Sequence, residues 1–114
     1  MIIDNSGLNG VQSELHYLDA NAEKIGFVRW QWDYYRATYD LKLTDRSSGS
    51  DYYLRVNTKA IEGKLENPHA MLEIEHVYMG LSTYPRGLDY DATIPKHIVD
   101  TANQRLQMLK RSFV

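Results

Sequence analysis

The segment His69-Ala70-Met71-Leu72-Glu73-Ile74-Glu75-His76 carries the densest set of proton-transferring side chains in the chain. On an extended strand Glu73 and Glu75 share one face about 7 Å apart, with His69 in the same phase. Two carboxylates and an imidazole so placed could serve as base and acid in a small hydrolase or isomerase, with Arg55 as an anion clamp. The competing reading is ion pairing on a solvated sheet face, because Arg55 and Lys59 fall on the facing surface of the preceding strand. Exposed pairs of that kind are ordinary and worth little, and the residue types favour this reading. His76 falls in the apolar phase of its strand and is expected as a hydrogen-bonded core histidine.

A second constellation is Tyr34, Tyr84, Arg86 and Tyr90. Three phenols and one guanidinium around a loop mouth could hold a small carboxylate or phosphate ligand. The alternative is that Tyr84 and Tyr90 only pin their loop to the core. The four histidines, His16, His69, His76 and His97, include no pair at the close helical spacing of a zinc motif, and there is no cysteine. Asp89 and Asp91 make a lone D-x-D without the rest of a calcium loop. No metal ligand, cofactor or catalytic residue is therefore assigned. No serine–histidine–acid arrangement, P-loop or dinucleotide fingerprint is present either.

These side chains need elements to hold them. Val11, Leu15, Leu18, Ala22 and Ile25 follow spacings of four, three, four and three, which predicts one amphipathic helix closed by Gly26. Two strands follow over 27–33 and 36–44, with a turn or bulge near Asp33 to Arg36 where the apolar phase switches parity. Trp30, Trp32, Tyr39, Leu41, Leu54 and Leu72 are expected in the core. A third strand starts at Asp51, with Tyr52, Leu54 and Val56 on one side and Tyr53, Arg55, Asn57 and Lys59 on the other. After Thr58 the phase shifts, since Ile61, Gly63 and Leu65 are the next apolar set, which predicts a bulge or bend there that Gly63 absorbs. A fourth strand carries Leu72, Ile74, His76 and Tyr78 on one face. Residues 80–93 read as a long connection, and Ile94, Ile98, Ala102, Leu106, Leu109 and Phe113 as the stripe of a final helix opened by Pro95. Ile2-Ile3 reads as a short edge strand.

At 114 residues, 43% hydrophobic and 25% charged, the chain suits one α+β domain spanning 1–114. The expected architecture is a four-stranded antiparallel meander with two helices on one face. Its order, β-α-β4-α, is analogous to TATA-binding-protein-like and helix-grip folds, an analogy that carries no function. A net charge of −2 gives no general case for nucleic acid or an anionic membrane, although the last helix is mildly basic. The absence of cysteine and of a signal-like N-terminus fits the cytoplasm.

Several stretches carry a resemblance to a family. They are Gly26-Phe27, Trp32-Asp33-Tyr34, Tyr39-Asp40-Leu41-Lys42, Tyr53-Leu54-Arg55-Val56, Ile61-Glu62-Gly63-Lys64-Leu65 and Tyr84-Pro85-Arg86-Gly87-Leu88-Asp89-Tyr90. With these the chain resembles the YugN-like family of small proteins from bacilli over nearly its whole length. It departs from the family at Tyr34-Tyr35-Arg36, where a glycine-containing turn is expected. The resemblance implies a bacterial cytosolic α+β domain and supplies no active-site residue. The surplus of tyrosine, nine against two phenylalanines, and the lack of a nucleophile favour a non-enzymatic binding or interaction domain acting as a homodimer. Two alternatives stand beside it. One is an anionic-ligand domain with a pocket under the 80–93 loop, and the other is the His69/Glu73/Glu75 enzyme. A small molecule or a second protein is the expected partner.

Overall fold

The computed structural model describes residues 1–31, 33–83 and 85–113. The order of elements is β1 (Gln12–Glu14), α1 (Leu15–Ile25), β2 (Val28–Gln31), β3 (Arg36–Thr44), β4 (Asp51–Glu62), β5 (Met71–Ser82), β6 (Leu88–Asp89) and α2 (Lys96–Arg111). The expected four-strand meander is present as β2 to β5, all antiparallel. The sheet nevertheless has six strands. Both β1 and β6 add to the outer edge of β5, at its two ends, giving the order β1-β5-β4-β3-β2 with β6 beside β5. Neither short strand has enough residues to show a period. Ile2 forms an isolated bridge to Tyr78 on the same edge, between them.

The first helix begins at Leu15 rather than Val11, because residues 12–14 are drawn into the sheet opposite Met71 to Glu73. Leu15, Leu18, Ala22 and Ile25 are buried, as their spacing requires. Gly26 ends the helix at φ 113°, a left-handed value, and its N–H donates to the carbonyls of Ala22 and Glu23. In α2, Ile98, Ala102, Leu106 and Leu109 are buried, and Lys110 and Arg111 lie in the last turn, against the negative end of the dipole. The two helices run antiparallel to each other: Tyr17 near the start of α1 donates to the carbonyl of Ser112, and Arg105 donates to that of Ile25.

Both helices share one core with the inward residues of the sheet, including Ala37, Tyr39, Leu41, Tyr52, Leu54, Val56, Leu72 and Ile74. Tyr39 is 1% exposed, and its hydroxyl donates to Asp19 of α1 at 2.5 Å. Burial of such large side chains, each worth about 1.5–3 kcal/mol, is the main favourable term. Among the described residues no helix is long and apolar enough to cross a membrane.

Three expectations are corrected. Trp30 is not in the core: it is 61% exposed, and its neighbour in phase, Val28, is 60% exposed. Register places Val28 opposite Asp40 and Trp30 opposite Thr38, on the face without helices. The inward-pointing position of β2 is taken by Arg29, whose guanidinium reaches Asp19 at 3.4 Å. His76 is exposed rather than buried. Pairing jumps from Val56↔Val77 to Thr58↔Ile74, so β5 carries one extra residue at Glu75 and His76. That bulge reverses the phase, and Val77 and Met79 continue the core in place of His76 and Tyr78. The 80–93 connection is shorter than expected, since β5 runs to Ser82 and β6 folds back on it. The second irregularity falls at Ile61, between Ala60 and Glu62, in the stretch after Thr58 where a bulge or bend is expected. Trp32, expected in the core, lies outside the described residues.

Candidate functional site

The helix-free face of the sheet is built from the outward residues of β3, β4 and β5. Period two places Thr38 and Asp40 on β3 and Arg55 and Asn57 on β4; Tyr78 joins them on β5 because the bulge at Glu75–His76 resets its phase. Asp40, Arg55 and Tyr78 stand in one line across three strands, with Thr38 opposite Asn57. Thr38 and Asp40 are buried although, among the described residues, no helix covers this face. Other side chains of the same face shield them.

Arg55 organises the group. Its Nε and Nη2 donate to the two carboxylate oxygens of Asp40 at 2.8 and 2.9 Å, and its Nη1 donates to the Tyr90 hydroxyl at 2.8 Å. The paired carboxylate holds the guanidinium proton well above its ordinary pKa, against the opposing effect of burial. Tyr78 accepts a hydrogen bond from the side-chain amide of Asn57, whose carbonyl oxygen accepts from Thr38 at 3.2 Å. Burial is the first cause that pushes the Tyr78 phenol above its usual value, and it stays protonated at neutral pH. The rings of Tyr78 and Tyr90 meet edge to face at 5.5 Å.

Tyr90 comes from the chain just beyond β6. It can lie over the sheet because β5 has Gly80 beneath it. A Cβ there would sit 2.9 Å from the Leu88 Cβ and 3.2 Å from the Tyr90 ring. The N-terminal ammonium caps the same corner, donating to the carbonyls of Tyr90 and Met79.

Together Arg36, Thr38, Arg55, Asn57, Tyr78 and Tyr90 line a cleft of about 320 Å³. Arg36 stands at its rim and donates to Glu75 at 2.8 Å. Two guanidinium groups are thus matched by two carboxylates, and the cleft has no net formal charge. Each phenol oxygen accepts one bond from the network and keeps its own hydrogen to donate. The acids are committed to arginines, so among the described residues the cleft presents hydrogen-bond donors and aromatic surface. Beside it, Met1, Ile2, Tyr78 and Tyr90 form a more apolar recess of about 310 Å³.

Of the four residues expected to form a pocket, Tyr90 lines this cleft. Tyr34 stands at the other end of β4, where its carbonyl accepts from Leu65 and Lys64 lies over its ring at 5.6 Å. Arg86 is exposed at the tip of the 83–87 turn, and Tyr84 lies outside the described residues. His69, Glu73 and Glu75 do not converge. His69 Nδ1 meets Glu14, Glu73 meets Gln12 and Lys59, and Glu75 meets Arg36. Arg55 is the expected anion clamp, while Asp40, Asn57 and Tyr78 join it here without a motif that marks them. The available signal was the outward phase of β3 and β4, which sets Asp40 and Thr38 beside Arg55 and Asn57.

The YugN-like family model matches residues 4–112. The chain is 35% identical over 105 residues to the uncharacterized protein YlbA of Bacillus subtilis (strain 168), covering 90% of this chain and 86% of that protein. Its fold matches the crystal structure of the uncharacterized conserved protein YugN from Geobacillus kaustophilus HTA426. The TM-score is 0.84 and the identity 35%, over 98% of this chain and 93% of the other.

Proposed function

This chain belongs to the YugN-like family, and we propose that it is a non-enzymatic binding domain that acts as a homodimer through the β2 edge of its sheet, with the cytoplasm as its compartment. The observation that carries this reading is the exposure of Val28 and Trp30 on β2. Among the described residues that strand is the last in the sheet order, with one edge paired to β3 and no strand on the other. An open edge is a template for a further strand. A second copy of β2, running antiparallel, satisfies two-fold symmetry and brings both Val28–Trp30 pairs side by side. Sedimentation velocity across micromolar concentrations tests it. A dimer mass that falls to a monomer in Trp30→Asp supports the reading, and a wild-type monomer throughout removes it.

A second reading rests on a different observation, the closure of Tyr90 over Arg55. Here the cleft under the loop after β5 takes a small ligand bearing an anionic or acceptor group. Arg36 and the phenols of Tyr78 and Tyr90 supply the contacts, and the Asp40-bound Arg55 holds Tyr90 in place. Native mass spectrometry of the protein purified without additives checks it. The expected result is a discrete adduct that is lost in Arg36→Ala and weakened in Tyr90→Phe. A bare protein mass under gentle conditions counts against it.

A further inference from the structure

Away from the cleft, at the opposite end of the outer edge of β5, two imidazoles converge on one carboxylate oxygen. Glu14 Oε2 lies 2.8 Å from His16 Nε2 and 2.9 Å from His69 Nδ1. The three ligating atoms fall within 4.8 Å of one another, and the two rings stand edge to face at 5.3 Å. Glu14 is the last residue of β1, His16 is in the first turn of α1, and His69 lies 55 residues beyond Glu14 in the turn before β5.

The backbones that carry these side chains are tied together independently of the side chains themselves. Leu15 N–H donates to the carbonyl of Ala70 at 2.8 Å and His16 N–H to that of Pro68 at 3.0 Å, while Glu14 pairs with Met71. His69 N–H is held by the side chain of Asn67 at 2.9 Å. Two chain segments thus present three ligands from a frame that is already ordered, which lowers the entropic cost of binding an ion.

We propose that Glu14, His16 and His69 form a binding site for a late first-row divalent cation of the zinc type. Two imidazoles and one carboxylate are a recognised three-ligand set for zinc, with remaining positions open to water. Metal–ligand distances of about 2.0–2.2 Å in a tetrahedral site place neighbouring ligand atoms roughly 3.3–3.6 Å apart, so the Glu14–His contacts open by about half an ångström to admit a shared ion. On binding, each ring passes to its other tautomer. The hydrogen leaves His16 Nε2 for Nδ1 and His69 Nδ1 for Nε2, and both new N–H groups can face water because the side chains are 53% and 72% exposed. An oxygen-seeking ion such as magnesium gains little from two imidazoles and binds this ligand set far more weakly than zinc. The ion ties the start of α1 to the turn before β5.

The test is calorimetric titration of the chelator-treated full chain with zinc alone, with magnesium as the control. One zinc per chain at micromolar affinity is expected, with no heat from magnesium. His16→Ala, His69→Ala and Glu14→Gln should each weaken binding by at least about tenfold, and His76→Ala should leave it unchanged. All three positions are at the surface, and circular dichroism verifies that the variants fold. Zinc should also raise the unfolding temperature of the wild type but not of His69→Ala. The absence of saturable binding at millimolar zinc overturns the site. So does an unchanged affinity in the His16→Ala/His69→Ala double variant, which would put the ion elsewhere.

Discussion

Asp40 and Arg55 face each other across β3 and β4, joined by two parallel hydrogen bonds of 2.8 and 2.9 Å on the sheet face opposite the two helices. The Asp40 side chain is 6% exposed and that of Arg55 23%. A charge so nearly buried depends on its partner. Arg55→Ala should therefore cost about 3 kcal/mol of stability, mostly through the carboxylate left unpaired. In urea unfolding, Asp40→Asn combined with Arg55→Ala should lose clearly less than the sum of the two single variants. Additivity would show that the pair is uncoupled.

Gly80 decides where Tyr90 rests. A Cβ there comes within 2.9 Å of the Leu88 Cβ, an atom that cannot swing aside as the end of a long chain can. Gly80→Ala should push β6 outward, break the Arg55–Tyr90 bond and cost about 1–3 kcal/mol. Amide hydrogen exchange should rise at Leu88 and Asp89 while β3 and β4 stay protected. Unchanged exchange at β6 would contradict this.

Trp30 presents the opposite case, a large aromatic whose removal should leave the monomer nearly as stable as before. With its side chain outward on an edge strand, Trp30→Ala should change unfolding free energy by no more than about 1 kcal/mol, against about 3–5 kcal/mol for a buried tryptophan. The comparison belongs at low protein concentration, where self-association does not enter. A large loss there would mean that the side chain is packed.

Acid should act on the β3–β4 loop through Asp45. Its carboxylate accepts from the Ser47 N–H and hydroxyl and the Ser48 hydroxyl, and His97 of α2 lies 3.2 Å away. These bonds, the Ser47 hydroxyl first, hold its pKa at about 2 against an ordinary 3.8. A depressed carboxylate pKa stabilises the fold when the group is ionised. The contribution is fully present above about pH 4 and is lost as pH falls through about 2. The stability difference between the wild type and Asp45→Asn should accordingly be flat from pH 7 down to about 4 and shrink below it. A difference independent of pH to the acid limit would exclude this role.

Much of the scaffold is legible locally. The stripe Leu15, Leu18, Ala22 and Ile25, the stripe Ile98, Ala102, Leu106 and Leu109, the alternation of Tyr52, Leu54 and Val56, and Gly26 each express a period or a backbone need within a few residues. The candidate cleft is half legible: alternation sends Asp40, Arg55 and Asn57 to one face, but nothing in it says that a partner covers them.

What the sequence alone determined is therefore the type and order of the main elements, because periodicity and turn chemistry act between near neighbours. What only the tertiary structure decided is where those elements stop following their period. Strand pairing adds Gln12–Glu14 to β5 and takes those residues from the helix. One extra residue at Glu75–His76 turns His76 outward and brings Val77 into the core. The edge position of β2 leaves Trp30 on the open face. The meeting of Glu14 and His16 with His69 follows from the β1–β5 register. Each depends on contacts between residues far apart in the chain, whose registers no local spacing encodes.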